Sequence, residues 1–202
     1  MARRRDDDLA ETRRREILDA AARCFVRRGV HQTSMREIIA EAGLSAGAIY
    51  NYFDGKEAII EAIAARERRV IEEFADYLET EPDPRTAIIE SVREIIRDCP
   101  PDEARLGVEL LAEGSRNPAV LALLKHNDAA LRGALLSAIR RGQEGGQIAA
   151  DMAPEPLLDT IVALYEGFIG HIALDPEADR AAYARAAVAA LTALLAGPAA
   201  RT

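Results

Sequence analysis

Residues 29 to 60 constrain the fold more than any other part of the chain, because they carry two short helix signals separated by a glycine. Ser34 followed three residues later by Glu37 is a capping box, in which the hydroxyl and the carboxylate each satisfy a backbone N–H at a helix start. Gly43 can adopt the left-handed conformation that ends a helix at low cost. Ser45 then caps a second helix. The pattern predicts a helix-turn-helix of the kind that binds DNA.

The second motif helix is predicted from Ala46 to about Tyr52, and its exposed residues are small at the N-terminal end. Ile49 and Phe53 have the spacing to face inward. Small side chains let a helix N-terminus approach base edges in a major groove, where larger ones would hold the backbone away. This face therefore fits direct contact with DNA.

These residues resemble the N-terminal region of the TetR family of bacterial transcriptional regulators. The resemblance covers roughly residues 12 to 60, whereas the rest of the chain is similar only in length and helical layout. The matching positions, in order and spacing, are Phe25, Gly29, Thr33-Ser34, Ile38, Ala42-Gly43, Ser45, Gly47, Ile49-Tyr50, Tyr52-Phe53 and Lys56-Glu57. The resemblance implies a DNA-binding head over residues 1–56, joined by a long helix to an effector-binding and dimerisation bundle over residues 57–202.

The expected DNA surface includes residues from both motif helices and from the start of the following helix. They are Thr33, Ser34, Arg36, Ser45, Ala46, Gly47, Ala48, Tyr50, Asn51, Tyr52 and Lys56. Hydroxyls, tyrosines and Lys56 suit phosphate contacts, and the residues from Ala46 to Ala48 with Asn51 are placed to meet bases or thymine methyls. Packing against the first helix is the alternative for Tyr50 and Tyr52. In the family the lysine matching Lys56 clamps a phosphate, whereas Asn51 departs from the bulkier residue of many relatives and leaves base preference open.

Composition and helical periodicity predict an all-α protein with about nine helices. The chain has 202 residues, only 4% of them aromatic, and contains no internal repeat or Ser/Gly linker. Residues 1–56 carry eleven basic and nine acidic side chains, whereas the remainder carries 15 basic and 25 acidic ones. DNA binding would then rest on a local basic surface, with the acidic remainder limiting non-specific association or maintaining solubility. Arg3, Arg4 and Arg5 fall in a predicted unstructured arm over residues 1 to 8.

The cysteines and histidines give no sign of catalysis, of a metal site or of a cofactor. Cys24 and Cys99 form no CxxC pair, the three histidines are far apart in sequence, and no HExxH, GxSxG or phosphate-binding glycine loop is present. The N-terminus lacks the apolar segment of a secretion signal, and the longest apolar run, near residues 186 to 196, is too short to span a membrane. These observations favour a cytoplasmic protein that is not an enzyme.

Two broad apolar surfaces near the C-terminus suggest a homodimer formed by the last two helices. The predicted dimer contacts are Leu157, Ile161, Leu164, Ala187, Leu191 and Leu194, with burial inside one subunit as the alternative. The family resemblance also implies a small-molecule pocket. Its candidate residues are the amphipathic groups of otherwise apolar helices, His126, Tyr165, Phe168 and His171, with a role as an ordinary core residue as the alternative for each.

The sequence thus predicts a homodimeric regulator that binds a palindromic operator in double-stranded DNA. Repression relieved by a small-molecule effector is the expected mode of action. The alternative is an architectural or cell-division factor that binds DNA without a ligand and acts through a protein partner. Neither hypothesis requires a cofactor or a membrane.

Overall fold

Nine α-helices account for the regular structure of the residues that the structure describes, and none of these residues forms a β-strand. The computed structural model describes the backbone of residues 2–196 and the side chains of residues 9–196. The helices are α1 (Ala2–Arg28), α2 (Met35–Ala42), α3 (Ala46–Tyr50), α4 (Lys56–Thr80), α5 (Pro84–Asp98), α6 (Pro101–Gly114), α7 (Pro118–Glu144), α8 (Pro154–Leu174) and α9 (Arg180–Ala196). The all-α prediction with about nine helices is confirmed over this range.

Helix α1 begins earlier than the sequence predicted. An unstructured arm was expected over residues 1 to 8, but the helix starts at Ala2. The segment contains neither glycine nor proline before Arg28, and its arginine, alanine and glutamate residues favour a helix, so no local signal ends it. The side chains of Arg3, Arg4 and Arg5 lie outside the described residues.

The caps of the helix-turn-helix form as predicted. The Ser34 side chain accepts a hydrogen bond from the Glu37 N–H, the Glu37 carboxylate accepts one from the Ser34 N–H, and Gly43 adopts the left-handed conformation with φ 65°. The Ser45 side chain accepts from the Ala48 N–H at 3.2 Å. Helix α3 ends at Tyr50, two residues earlier than expected.

In the sequence, Asp83-Pro84, Asn117-Pro118 and Asp175-Pro176 each place a capping residue before a proline and predict a helix start, the last of them for a helix from about Glu177. The first two starts are confirmed. Asp83 caps α5 directly before Pro84, and Asn117 accepts bonds from two N–H groups at the start of α7. The expected start after Asp175 was wrong. Asp175 instead closes a turn by accepting from the Glu177 N–H, and Asp179 caps α9 three residues later than predicted.

The contacts within the chain define two compact units. The N-terminal unit comprises Met1–Glu67 and Leu106–Leu124, and the C-terminal unit comprises Arg68–Arg105 and Lys125–Thr202. Helices α4, α6 and α7 therefore each contribute residues to both units. A functional division between residues 56 and 57 stays a prediction.

The N-terminal unit is organised around large apolar side chains from its first four helices. Phe25, Ile38, Ile49 and Ile59 are fully buried in one cluster. Leu110 from the second segment of the unit joins the same cluster. The three-helix head thus shares its core with part of α6.

The C-terminal unit has its own core, in which α5 packs most extensively against α9. Four of the six predicted dimer contacts belong to this core and are at most 1% exposed, namely Leu157, Ile161, Ala187 and Leu191. A side chain buried inside one protomer has no surface left for a partner, so these four assignments were wrong. Leu164 and Leu194 are partly exposed, and their contact with a partner stays a prediction.

Arginine side chains bind the C-terminal ends of helices in the C-terminal unit. Each donates to a backbone carbonyl in or beside the last turns of another helix: Arg105 to Ala173, Arg180 to Cys99, Arg85 to Thr192 and Arg141 to Leu78. Carbonyls at a helix C-terminus lack intrahelical donors and carry partial negative charge. These contacts therefore satisfy orphan acceptors with cations and tie distant segments together.

Helix α8 is long and apolar enough to cross a membrane by length and composition alone. Its residues nevertheless alternate between burial and exposure, and Leu157, Leu158 and Val162 pack into the core of the C-terminal unit. This is how the core helix of a globular protein is built.

The conformation of Gly43 generates a stability prediction with an internal control. Ala at residue 43 meets no steric neighbour within 4 Å but must adopt φ near 65°, so Gly43→Ala should lower the free energy of unfolding by about 1 kcal/mol. Gly47 is equally open and has a helical backbone, so Gly47→Ala should cost no stability. Urea denaturation followed by circular dichroism measures both. Equal losses in the two variants would contradict the conformational explanation.

Candidate nucleic-acid interface

The predicted DNA-contacting residues lie at the start of α2, along α3 and at the start of α4. Most of them are exposed: Ser34, Arg36, Ser45, Ala46, Gly47, Tyr50 and Asn51. Ala48, Tyr52 and Lys56 are partly exposed. The fold therefore leaves ten of the eleven predicted residues accessible, with Thr33 as the exception.

Helix α3 presents small and polar side chains to solvent because its apolar anchor lies on one side only. Ile49 is fully buried and Phe53 is 2% exposed, so together they fix the helix to the core. On the opposite side, a Cβ added at Gly47 would meet no atom within 4 Å. Tyr50 is 48% exposed, so packing against the first helix does not account for its position. Small and polar groups of α3 are thus open to a large partner.

Thr33 is not available for the phosphate contact that the sequence predicted. The residue is 2% exposed, and its hydroxyl donates to the Gly29 carbonyl at 2.8 Å. A side chain this deeply buried presents no surface to a phosphate of the DNA backbone. That assignment was wrong, and the side chain instead holds the turn between α1 and α2.

Lys56 also makes contacts that the sequence did not predict. Its ammonium nitrogen lies 2.9 Å from the Val30 carbonyl oxygen, 3.1 Å from that of Thr33 and 3.3 Å from that of His31. The three carbonyls belong to the turn between α1 and α2. The structure therefore brings the start of α4 next to the start of α2.

A network of ion pairs joins α2 to α1. Glu41 accepts from Arg27 at 2.5 Å and from Arg23 at 2.7 Å, and Glu37 pairs with Arg28. Hydrogen bonds from Arg27 and Arg23 lower the pKa of the Glu41 carboxyl to about 2. The pKa of Glu37 is also lowered, first by hydrogen bonds within the capping box and then by the charge of Arg28.

This network was missed at the level of sequence, although a signal for it exists. Arg23 and Arg27 are spaced i, i+4 on α1, and Glu37 and Glu41 have the same spacing on α2. Residues with this spacing share one helix face, so the two helices present matching charged faces. Only the fold shows that the two faces meet.

The candidate effector residues are partly brought together in the C-terminal unit. The ring of Phe168 lies 5.4 Å from that of Tyr183, and the ring of His171 lies 6.1 Å from it. Tyr165 is partly buried on the same helix, and His126 lies exposed on α7. Tyr183 is a member of this aromatic group that the sequence did not single out.

A cleft in the N-terminal unit has a volume of about 550 Å³ and charged walls. Arg27, Arg28, Glu109 and Arg116 line it together with His31. Its guanidinium groups already pair with carboxylates of the same unit. It is not the apolar cavity that a small-molecule effector generally requires.

Family comparison covers both ends of the chain. Residues 17–63 match the family described as "Bacterial regulatory proteins, tetR family". Residues 84–197 match the family described as "BetI-type transcriptional repressor, C-terminal". The matches therefore include the helix-turn-helix and most of the C-terminal unit.

Individual relatives agree with this result over nearly the whole chain. The transcriptional regulator UidR of Escherichia coli is 31% identical over 186 residues, covering 87% of this chain and 89% of UidR. The transcriptional regulator TtgR of Pseudomonas putida is 30% identical over 171 residues, covering 76% of this chain and 78% of TtgR. The structure of Salmonella enterica GusR superposes with a TM-score of 0.74 at 28% identity, covering 91% of this chain and 95% of GusR.

The low pKa of Glu41 predicts that acid weakens the ion pairs between α1 and α2. The Glu41 carboxyl has a pKa of about 2 in the folded protein, against an ordinary value of 4.5. Its ionised form therefore stabilises the folded state fully above pH 4.5, and this contribution to the free energy of unfolding disappears as the pH falls towards 2. The melting temperature of Glu41→Gln should therefore lie below that of the wild type by a constant amount between pH 7 and pH 5, and the gap should close near pH 2. Thermal unfolding followed by circular dichroism measures it.

Glu16→Gln is the matched control for this experiment. Glu16 pairs with Arg13 on the same exposed helix face, so its loss should change the melting temperature little. A gap between wild type and Glu41→Gln that persists unchanged down to pH 2 would contradict the role given to the ionised carboxylate.

Proposed function

This chain belongs to the TetR family of bacterial transcriptional regulators, and from that premise we propose that it is a homodimeric repressor released from a palindromic operator by a small-molecule effector. Membership makes it a helix-turn-helix regulator and not an enzyme, as the sequence predicted. Family members typically bind operator DNA and respond to effectors. We place the protein in the cytoplasm, where a bacterial chromosome is accessible.

The exposed surface of α3 is the observation that carries the proposal of sequence-specific binding. Ala46, Gly47 and Ala48 form a face without bulk, which lets the backbone approach base edges in the major groove. Asn51 has an amide that can donate to and accept from a base edge. We propose that these four residues read the operator.

The remaining accessible residues suit the phosphate backbone on either side of α3. The proposed phosphate contacts are Ser34, Arg36, Ser45, Tyr50 and Tyr52. Such contacts fix the register of a protein on DNA without carrying sequence information directly. Lys56 belongs to this surface by position, but its ammonium group already bonds to the protein backbone.

Exposed residues on the outer faces of α8 and α9 are better candidates for dimer contacts than the four predicted residues that lie buried in the core. The exposed residues include Ala163, Gly167 and Leu174 on α8, beside the charged Asp159 and Glu166, and Ala186, Ala189, Ala190 and Ala193 on α9, beside Arg185. Small residues let helices of two protomers approach closely. Leu174 is 82% exposed, which a partner subunit would cover at a gain in stability. A twofold dimer would present two motif helices to the two halves of a palindrome.

The effector would act by shifting a population between DNA-binding and non-binding conformations. A hundredfold loss of operator affinity requires about 2.7 kcal/mol of coupling between the two sites. Tyr165, Phe168 and His171, with Tyr183 beside the last two, offer aromatic surface for such a ligand. His126 is the fourth residue of the proposed effector site.

Selection of bound duplexes from a randomised DNA pool tests this function. The purified protein should enrich a palindrome, and titration of the selected duplex should show affinity that falls steeply with salt. Screening then seeks a small molecule that releases the duplex. Binding of DNA without any sequence preference would favour an architectural factor that depends on a protein partner.

Ala48→Arg tests the assignment of α3 as the reading helix. The longer side chain should hold the backbone away from the groove and lower affinity for the selected duplex at least about tenfold, a loss of about 1.4 kcal/mol. Its added charge should leave non-specific binding intact or stronger. Ala129→Arg adds the same charge at an exposed residue of α7 and should leave specific binding unchanged. Unchanged specific affinity in Ala48→Arg would remove α3 from the interface.

Glutamate substitutions on α9 test the proposed dimer face. The double variant Ala189→Glu and Ala193→Glu places like charges on both sides of a twofold interface, so sedimentation equilibrium should show a shift towards monomer. Operator affinity should fall with it, because a monomer meets only one half-site. Ala129→Glu is the control and should remain dimeric. A double variant that stays fully dimeric would show that the interface lies elsewhere.

A further inference from the structure

We propose that Arg14 of α1 is a further DNA-binding residue, whose guanidinium donates hydrogen bonds to a phosphate of the DNA backbone beside the C-terminal end of α3. The helix-turn-helix pattern assigns no role to this residue. The inference rests on the proposed function, because it adds a contact to the same interface.

The position of the Arg14 guanidinium is the first argument. Its central carbon lies 4.5 Å from the centre of the Phe53 ring. A guanidinium over an aromatic ring is attracted electrostatically by the ring, and the contact restricts an otherwise flexible side chain. Arg14 therefore has a defined position in the protein without DNA, so little further ordering of the side chain opposes binding to a phosphate.

The location of Phe53 is the second argument. Phe53 follows Tyr52 directly and lies in the short segment between the end of α3 at Tyr50 and the start of α4 at Lys56. Tyr50 and Tyr52 are proposed phosphate contacts. The guanidinium of Arg14 is thus held by the same segment that carries them, next to the proposed interface.

The charge of Arg14 is the third argument, because no carboxylate of residues 9–196 neutralises it. Other arginines of α1 pair with a glutamate, namely Arg13, Arg23, Arg27 and Arg28. A guanidinium has five N–H donors in its own plane, and stacking on a ring leaves the edges of that plane open. Arg14 is partly exposed, so these donors are accessible to an anion outside the protein.

Stability alone does not account for an arginine at this place. Arg14 lies four residues before the buried Leu18 and eleven before the buried Phe25, which puts it on the apolar stripe of α1. A leucine or methionine there would also cover the Phe53 ring and would carry no charge. An anionic partner accounts for the guanidinium, and phosphates are the anions that this part of the head meets in the proposed complex.

The shape of the guanidinium determines the chemistry of the contact. Two parallel N–H groups can donate to two oxygens of one phosphate, a geometry that a lysine ammonium does not reproduce. Such a contact releases counterions from DNA, so it makes affinity depend more steeply on salt and carries no sequence information directly. Arg14 should therefore strengthen binding to every duplex by a similar factor.

Three variants of the full-length protein test this contact. Arg14→Met removes the charge and the donors but keeps an unbranched apolar stem over Phe53. Arg14→Lys keeps the charge without the planar donors. Arg15→Met removes the neighbouring exposed cation and is the matched control. Affinity for the selected duplex and for a random duplex is measured at several salt concentrations, and thermal unfolding is followed by circular dichroism.

The phosphate contact predicts a loss of affinity that does not depend on sequence. Arg14→Met should bind both duplexes more weakly by a similar factor, and its salt slope should fall by about 0.9 for each bound protomer. Arg14→Lys should keep the wild-type slope but bind more weakly than the wild type, because a point charge lacks the bidentate geometry. Arg15→Met should keep the slope and the affinity of the wild type.

Neutral methylphosphonates, placed one at a time in the selected duplex, identify the phosphate itself. At one backbone position in each half-site the substitution should weaken binding by the wild type and leave Arg14→Met unaffected, because the variant has already lost the group that contacts it. If every position affects the two proteins equally, Arg14 contacts no phosphate.

An unchanged salt slope in Arg14→Met would also overturn the proposal. Together with a lower melting temperature, it would show that the contact with Phe53 only stabilises the fold. An equal loss of slope in Arg15→Met would reject the proposal too, because the summed charge of α1 would then be the cause. If the wild type binds no duplex, the proposed function fails and the contact fails with it, whereas normal binding by the wild type and all variants rejects the contact alone.

Discussion

Burial of a few large apolar side chains is the interaction on which the DNA-binding head depends. Helix α2 has 8 residues and α3 has 5, lengths at which an isolated helix is unstable in water. Each contributes an isoleucine, Ile38 or Ile49, to a core that also contains Phe25 and Phe53. The short helices therefore exist because this core holds them, and their outer faces are free for DNA.

Polar groups around the core determine where the short helices point. The capping box fixes the start of α2, the pairs of Glu41 with Arg23 and Arg27 hold its side against α1, and Lys56 ties the preceding turn to α4. Apolar contacts are non-directional, whereas these bonds have defined geometry. A helix-turn-helix that must dock on DNA in a defined orientation needs both kinds of interaction.

Helices α8 and α9 each have one face in the core of the C-terminal unit and one face exposed to solvent. One face of each carries the core of the C-terminal unit, including Leu157 and Leu191, and the outer face carries small residues such as Gly167 and Ala189. Composition alone made both faces look apolar, which is why core residues were mistaken for dimer contacts. An alanine-rich helix gives little contrast between a buried stripe and an exposed one.

The sequence by itself determined the helices of the motif and its family, because caps such as Ser34 with Glu37, or glycine at residue 43, act over a few residues and leave a readable pattern. It also determined which small residues α3 carries. Only the tertiary structure decided that Thr33 is buried, that Lys56 bonds to carbonyls more than twenty residues away, and that the charged faces of α1 and α2 meet. These contacts depend on how helices pack, and packing brings together residues whose spacing in sequence carries no local signal.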